Sequence, residues 1–200
     1  MTKFLLIRHA SNDAVGKRLV GRMTGVHLNV EGQAQAEALG ERLKHINISA
    51  IYSSPLERAI ETAAPLAKKL QQQVNIDEAF NEVNFGEWTN CTFEELSNNH
   101  QFHRFNNFRS CTRIPGGELM SEAQQRMITG IESLQHKHRN EIVAVVSHAD
   151  PIKSVIAHYA GIHLDMFLRL EISPASVSII RLSEDAVSIV QLNNTGEVFL

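Results

Sequence analysis

This chain lacks abundant cysteine, excess positive charge and long apolar runs, and each lack excludes a class of protein. The 200 residues include only two cysteines, Cys91 and Cys111, so a disulfide framework is not expected. We expect both thiols to be reduced, as in a cytoplasmic protein. The formal net charge is -3, which provides no overall basic field for holding nucleic acid or an anionic membrane. No apolar run approaches the roughly 20 residues of a membrane span, and no secretory signal pattern is recognisable.

The chain does have enough apolar side chain for a sizeable core, since 43% of its residues are hydrophobic. Its length suits one domain. The pattern predicts elements in the order β-loop-α-β-α-β-excursion-α-β-α-β-β. Alternation of this kind places helices on both faces of a mostly parallel sheet, which predicts an α/β fold.

Two apolar runs end abruptly at basic or titratable residues. The first, predicted as a strand over about 3–8, ends at Arg8-His9, and a second strand over 142–147 ends at His148. Asp150 is the predicted N-cap of the helix that follows. Ligands of open α/β sheets bind at the carboxyl edge of the strands, and the long loop over 9–29 is typical of a functional segment.

A third basic residue follows another short strand. Ser54 is predicted to cap the next helix and Pro55 to take its first position, which places Arg58 in the first turn. Helix N-termini favour anions, and arginine matches phosphate oxygens in bidentate fashion. Two arginines and two histidines gathered at one sheet edge therefore predict a site for a dianion.

The segment at about 90–115 is rich in aromatic and polar residues and is predicted to be a helical excursion. Two interpretations stay open: it is a lid over the site, or its aromatic side chains simply pack on the domain. The same region contains potential zinc ligands, whose spacing matches no common zinc site. These ligands are Cys91, His100, His103 and Cys111.

Four segments together resemble the histidine phosphatase superfamily, also called phosphoglycerate mutase-like, and their order and spacing agree over essentially the whole chain. The resemblance implies a three-layer α/β/α sandwich with a mostly parallel mixed sheet, and a single histidine phosphatase domain over residues 1–200. The matching segments are Arg8-His9-Ala10, Ser53 to Ala59 with Arg58 inside it, Glu82 before Phe85-Gly86-Glu87-Trp88, and Ser147-His148-Ala149.

The chain also departs from the family pattern. Ala10 and Ala149 replace glycines, which raises the question of backbone conformation at both positions. Thr89-Asn90 replaces the usual Glu-Gly after the tryptophan. Val15 stands where many members have a phosphate-binding asparagine, for which Asn12 is a candidate substitute.

The resemblance implies particular roles for the matched residues. His9 would be the nucleophile that forms a phosphohistidine, and Glu82 would act as general acid and then general base. A raised pKa, caused by apolar neighbours, would suit Glu82 to that task. The phosphoryl group would be held by Arg8, Arg58 and His148, with Arg18 and Asn12 as further substrate-binding candidates.

We therefore expect a phosphomonoesterase that acts on a small phosphorylated metabolite, with no cofactor and no metal ion. The first alternative is a phosphoglycerate mutase. An alternative of another class is a non-catalytic protein that binds a phosphoanion or a metal. No nucleic-acid or membrane partner is expected, and the sequence leaves the oligomeric state open, with a homodimer among the alternatives.

Overall fold

The computed structural model describes residues 1–198 and contains a six-stranded sheet. In chain order its strands are β1 (Thr2–Arg8), β2 (Ala50–Ser53), β3 (Val74–Ile76), β4 (Ile142–Ser147), β5 (Val177–Leu182) and β6 (Val187–Asn194). Across the sheet they lie in the order β3-β2-β4-β1-β5-β6. The first four strands are parallel to one another, and β5 and β6 join as an antiparallel edge. The mostly parallel mixed sheet expected from the sequence is confirmed.

Over the described residues, six helices accompany the sheet, together with three 3₁₀ turns. The helices are α1 (Val30–Leu43), α2 (Glu57–Leu70), α3 (Phe93–Leu96), α4 (His100–Asn107), α5 (Met120–Lys137) and α6 (Ala149–Ala160). The 3₁₀ turns are Glu78–Phe80, Gly86–Trp88 and Leu164–Arg169. Within residues 1–198, no helix combines the length and the apolar character that crossing a membrane requires.

Strand β1 shows how the sheet separates two cores. Successive side chains of a strand point to opposite faces, and all four residues from Phe4 to Ile7 are fully buried. Phe4 and Leu6 pack with residues of α5 and α6 on one face. Leu5 and Ile7 pack with residues of α1 and α2 on the other. The predicted three-layer α/β/α sandwich is confirmed.

Two helix starts differ from the prediction. Helix α2 begins at Glu57 with Leu56 at its N-cap and no side-chain cap, so the capping role predicted for Ser54 is wrong. The Ser54 hydroxyl instead lies 2.8 Å from Nε2 of His148, and toward the helix it accepts only a long hydrogen bond of 3.4 Å from the N–H of the N-cap residue Leu56. Helix α6 begins one residue before Asp150, which frees that carboxylate for other contacts.

The excursion before α5 has an apolar cluster of its own. Trp88 packs edge-to-face against Phe102 and Phe105, each with ring centroids 5.4 Å apart. Residues of α5, of α6 and of the turn at Leu164–Arg169 complete the cluster. Phe93, by contrast, is 40% exposed. The inner aromatic residues thus pack on the domain, and motion of this segment as a lid stays a prediction.

Candidate active site

The carboxyl ends of neighbouring parallel strands bring the predicted residues together. Arg8 pairs in register with Ser147, and Ser53 with Val146, so the residues that follow these strands emerge at one edge. A pocket of about 160 Å³ lies there. Its lining includes Arg8, His9, Asn12, Arg18, Arg58 and Glu82.

His9 is fixed in one tautomer. Its Nδ1 lies 2.7 Å from the carbonyl oxygen of Ala10. A carbonyl can only accept, so Nδ1–H is the donor and the neutral ring keeps its lone pair on Nε2. Burial, together with the charges of Arg58 and Arg8, lowers the pKa of His9 to about 3. The imidazole is therefore neutral and nucleophilic at pH 7.

Arg58 and Arg8 present buried donors at the same place. Arg58 is fully buried, and its Nη2 donates to the carbonyl of Gly21 at 2.7 Å. Arg8 Nη1 donates to the carbonyl of Ile172 at 2.6 Å. Among residues 1–198, Nε and Nη1 of Arg58 and Nε of Arg8 have no hydrogen-bond acceptor. Buried donors of this kind are normally satisfied, and an anion with several oxygens would satisfy them.

Glu82 is placed in surroundings that favour its protonated form. Burial raises the pKa of its carboxyl to about 7, with Arg58, the Val83 N–H and Arg8 opposing the rise and the negative charge of Asp150 adding to it. Near neutral pH the group can therefore either donate or accept a proton. This agrees with the raised pKa that the resemblance implied.

His148 lies behind the pocket wall. The residue is fully buried, and its ring centroid lies 5.2 Å from that of His9. Its Nδ1 is 3.7 Å from Oε2 of Glu82, and Nε2 contacts the Ser54 hydroxyl. Burial, then the charge of Arg58, lowers its pKa well below the usual value, so this ring is also neutral.

The loop that carries Glu82 is held by arginines that sequence reasoning missed. Arg126 Nη1 donates to two backbone carbonyls that precede Glu82, at 2.8 and 2.9 Å. Arg22 Nε donates to the carbonyl of Glu82 itself at 2.8 Å. Glu118 accepts from Arg22 at 2.6 Å and from the Asn84 N–H at 2.9 Å. Their positions are far apart in sequence, and no motif connects them.

The two further candidates, Asn12 and Arg18, also line the pocket. Asn12 Oδ1 accepts from the Ala14 N–H at 2.9 Å, and its buried Nδ2 has no acceptor among the described residues. Arg18 Nη1 donates to Oδ1 of Asn90 at 2.7 Å. Asn90 has a φ of +69°, which explains a family preference for glycine there. Asparagine tolerates this conformation better than most residues.

The alanines in place of glycine cause no strain. Neither Ala10 nor Ala149 has a positive φ. The Ala10 N–H donates to Thr62 Oγ1 at 2.9 Å, and Ala149 starts helix α6. Gly86 is different: its φ is +48°, and a Cβ there would lie 2.1 Å from the carbonyl oxygen of Pro115. Of these three positions, only Gly86 requires glycine.

The zinc alternative has no geometric support. Within residues 1–198, no three His, Cys, Asp or Glu side chains are grouped so that they could hold a metal ion. The Cys91 thiol instead lies 3.7 Å from the Glu87 carbonyl, and the His103 ring contacts the carbonyl of Ser97.

Comparison with known proteins agrees with this geometry. A family model described as histidine phosphatase superfamily (branch 1) matches residues 4–195. Phosphoserine phosphatase 1 of Hydrogenobacter thermophilus is 30% identical over 208 aligned positions, which cover 100% of this chain and 97% of that protein.

Solved structures show the same fold. The structure of Bacillus stearothermophilus YhfR has a TM-score of 0.91 and 26% identity, and the match covers 100% of this chain and 98% of that one. A phosphoserine phosphatase mutant from Entamoeba histolytica, in complex with phosphoserine, has a TM-score of 0.87 and 25% identity with 98% of each chain covered. The chain belongs to the histidine phosphatase superfamily, as its four sequence segments predicted.

Proposed function

We propose that the chain is a metal-independent phosphomonoesterase that hydrolyses a small phosphorylated molecule through a phosphohistidine on His9. The observation that carries the proposal is the neutral His9 ring, with Nε2 free, beside the buried and unsatisfied donors of Arg58 and Arg8. A nucleophile next to preorganised cationic donors is what phosphoryl transfer requires. The phosphatase names among the relatives support the same class of enzyme.

The first step forms the phosphoenzyme. The Nε2 lone pair of His9 attacks phosphorus in line, the bond from phosphorus to the ester oxygen breaks, and the protonated Glu82 gives its proton to the departing alkoxide. Arg8 and Arg58 hold the non-bridging oxygens and offset the charge that develops on them. Each preorganised donor of this kind can lower the barrier by roughly 3 to 4 kcal/mol.

The second step releases phosphate and restores the enzyme. Water attacks the phosphorus, the ionised Glu82 accepts its proton, and the nitrogen–phosphorus bond breaks to return the lone pair to His9. Glu82 is then protonated again and ready for the next substrate. A carboxyl with a pKa of about 7 suits both directions of this proton transfer at neutral pH.

We assign a supporting role to His148. We infer that the Ser54 hydroxyl donates to Nε2 across their 2.8 Å contact, which leaves the ring proton on Nδ1. That N–H has no acceptor among the described residues and lies on the side of Glu82. It provides a neutral donor for one phosphoryl oxygen, beside the charged donors of Arg8 and Arg58.

Phosphate release tests the proposal. The purified protein is incubated with phosphoserine, which the names of two relatives suggest, and with a generic phosphomonoester, both with EDTA present. We expect equal amounts of phosphate and alcohol, unaffected by the chelator. Failure to release phosphate from any phosphomonoester would favour the non-catalytic phosphoanion binder, which has no need of an acid such as Glu82.

The mutase alternative receives less support from the arginines of the excursion. A mutase must hold its acidic substrate and return the phosphoryl group to it. Two arginines of the excursion are already paired with carboxylates, Arg109 with Asp150 at 3.0 Å and Arg113 with Glu122 at 3.0 Å. Assaying phosphate release against interconversion of phosphoglycerates separates the two functions, and we expect release to dominate.

A further inference from the structure

A second pocket, of about 420 Å³, adjoins the pocket beside His9, here named the phosphate pocket, and its lining is mostly apolar, with four phenylalanines. The two pockets share four lining residues, which are Leu19, Phe85, Phe93 and Asp150. The remaining lining of the second pocket, here named the aromatic pocket, consists of Phe102, Phe105, Asn106, Arg109 and Leu168. A group attached to a phosphoryl at His9 therefore has an apolar space directly beside it.

The cation in this lining, Arg109, already has protein partners on two of its three nitrogens. Arg109 Nη1 donates to Asp150 at 3.0 Å and Nη2 donates to Asn106 at 2.7 Å. Its guanidinium also lies 4.4 Å from the centroid of the Phe105 ring and 4.6 Å from that of Phe167. Nε of Arg109 has no acceptor among the described residues, but its two other nitrogens are paired and the two rings hold the guanidinium in the wall. The Asp150 carboxylate at the border disfavours a second anion.

Apolar surface is left exposed at the mouth of the aromatic pocket. Phe93 is 40% and Leu168 is 44% exposed, although each has apolar neighbours in the lining. Ligand sites are typically lined by apolar side chains with few polar groups that fix orientation. Exposed apolar clusters on soluble proteins often mark such sites.

We propose that the alcohol part of the substrate carries an aromatic or branched apolar group that occupies the aromatic pocket while its phosphoryl group binds beside His9. This inference rests on the proposed phosphomonoesterase function. Small polar alcohols such as serine and glycerate leave the aromatic pocket empty, and the carboxylate of glycerate also faces Asp150. Their phosphate esters are accordingly poorer substrates than esters of an apolar alcohol.

Two matched esters test the inference. 3-Phenylpropyl phosphate and propyl phosphate both release a primary alcohol, so the chemistry at phosphorus is alike and only the apolar group differs. We expect kcat/KM to be at least about tenfold higher for the phenylpropyl ester, since even one methylene in an apolar pocket changes this ratio by roughly tenfold or more. Phosphoserine serves as the third substrate and should fall below the phenylpropyl ester.

Substitutions in the lining test whether the aromatic pocket causes the preference for the phenylpropyl ester. Leu168→Asp and Phe93→Ala, both at exposed positions, should bring the ratio of the two kcat/KM values close to one. Phe108→Ala is the matched control, because Phe108 is 52% exposed and does not line the aromatic pocket. It should leave the ratio unchanged.

The outcomes separate the inference from the function on which it rests. If neither ester nor phosphoserine is hydrolysed, the proposed function fails. If they are hydrolysed but the propyl ester or phosphoserine is preferred, or if the substitutions leave the ratio unchanged, the function stands and the aromatic-pocket inference is overturned.

Discussion

The floor of the phosphate pocket, formed by His9 and Arg58, is held in place differently from its outer wall, formed by Phe93 and Arg18. On the floor, His9 and Arg58 are each at most 5% exposed and follow strands of a single sheet, with the fully buried His148 behind them. On the wall, Phe93 is 40% exposed and Arg18 reaches Asn90 across 72 positions of sequence. The register of the parallel strands sets the positions of the floor residues, whereas contacts between two loops set the positions of the wall residues.

The wall is one unit made from two distant segments. The Leu19 N–H donates to the carbonyl of Cys91 at 2.9 Å, and the Phe93 N–H donates to the carbonyl of Lys17 at 3.0 Å. These bonds join the 9–29 loop to the excursion at about 90–115. We therefore expect substitutions in the floor to abolish phosphate release, and substitutions in the wall to alter which substrate is hydrolysed.

Replacing the nucleophile should give the largest effect. We expect His9→Ala to lower kcat for phosphate release by at least about 10⁴-fold, as loss of a nucleophile does in other covalent enzymes. Thermal melting of the variant checks that the fold is intact. If a well-folded His9→Ala protein retains more than a small fraction of the activity, the floor is not where the chemistry occurs.

Loss of the proton donor should come next. We expect Glu82→Gln to lower kcat by about 10² to 10⁴-fold for an alkyl phosphate. The loss should be much smaller for p-nitrophenyl phosphate, whose leaving group needs no proton. Equal losses for both esters would mean that Glu82 does not act as the acid.

The pH profile of activity tests the role of Asp150, which lines both the phosphate pocket and the aromatic pocket. Glu82 must be protonated in the first step, so activity should fall as pH rises above about 7, the raised pKa of its carboxyl. Asp150 contributes to that raised pKa. In Asp150→Asn the pKa of Glu82 should fall and the basic limb should move to lower pH.

The control for this variant is a measurement of stability, because Arg109 loses a buried partner and the protein should melt at a lower temperature. A basic limb that stays in place in a folded Asp150→Asn protein would show that this carboxylate does not act on Glu82.

The smallest effect is expected on the wall. Asn90→Gly keeps the positive φ without strain but removes the acceptor of Arg18. We expect KM for the best substrate to rise by roughly two- to tenfold, the equivalent of one hydrogen bond, with kcat nearly unchanged. A large fall in kcat instead would erase the distinction between floor and wall.

The parts predictable from sequence are those set by local pattern. The apolar runs that end at Arg8 and Ser147 identified both central strands, and alternation with amphipathic helices gave the three-layer architecture. Because parallel strands end at one edge, residues far apart in sequence could be placed together before their contacts were known.

The parts that sequence could not provide depend on long-range contacts. Ser54 has the ordinary signature of a helix cap, yet a buried histidine competes for its hydroxyl. Arg22 and Arg126 resemble surface charges in the sequence, although both hold the backbone near Glu82. Arg109 carries no signal that it pairs with Asp150.

The central claim is a covalent phosphohistidine at His9, and trapping it is the most direct test. The enzyme is mixed with a ³²P-labelled phosphomonoester, quenched rapidly in alkali, and digested for mass spectrometry. We predict one acid-labile and base-stable phosphoryl group on the peptide that contains His9, and none in His9→Ala. A phosphoryl group on another residue, or steady turnover with no covalent phosphate on His9, would contradict the account.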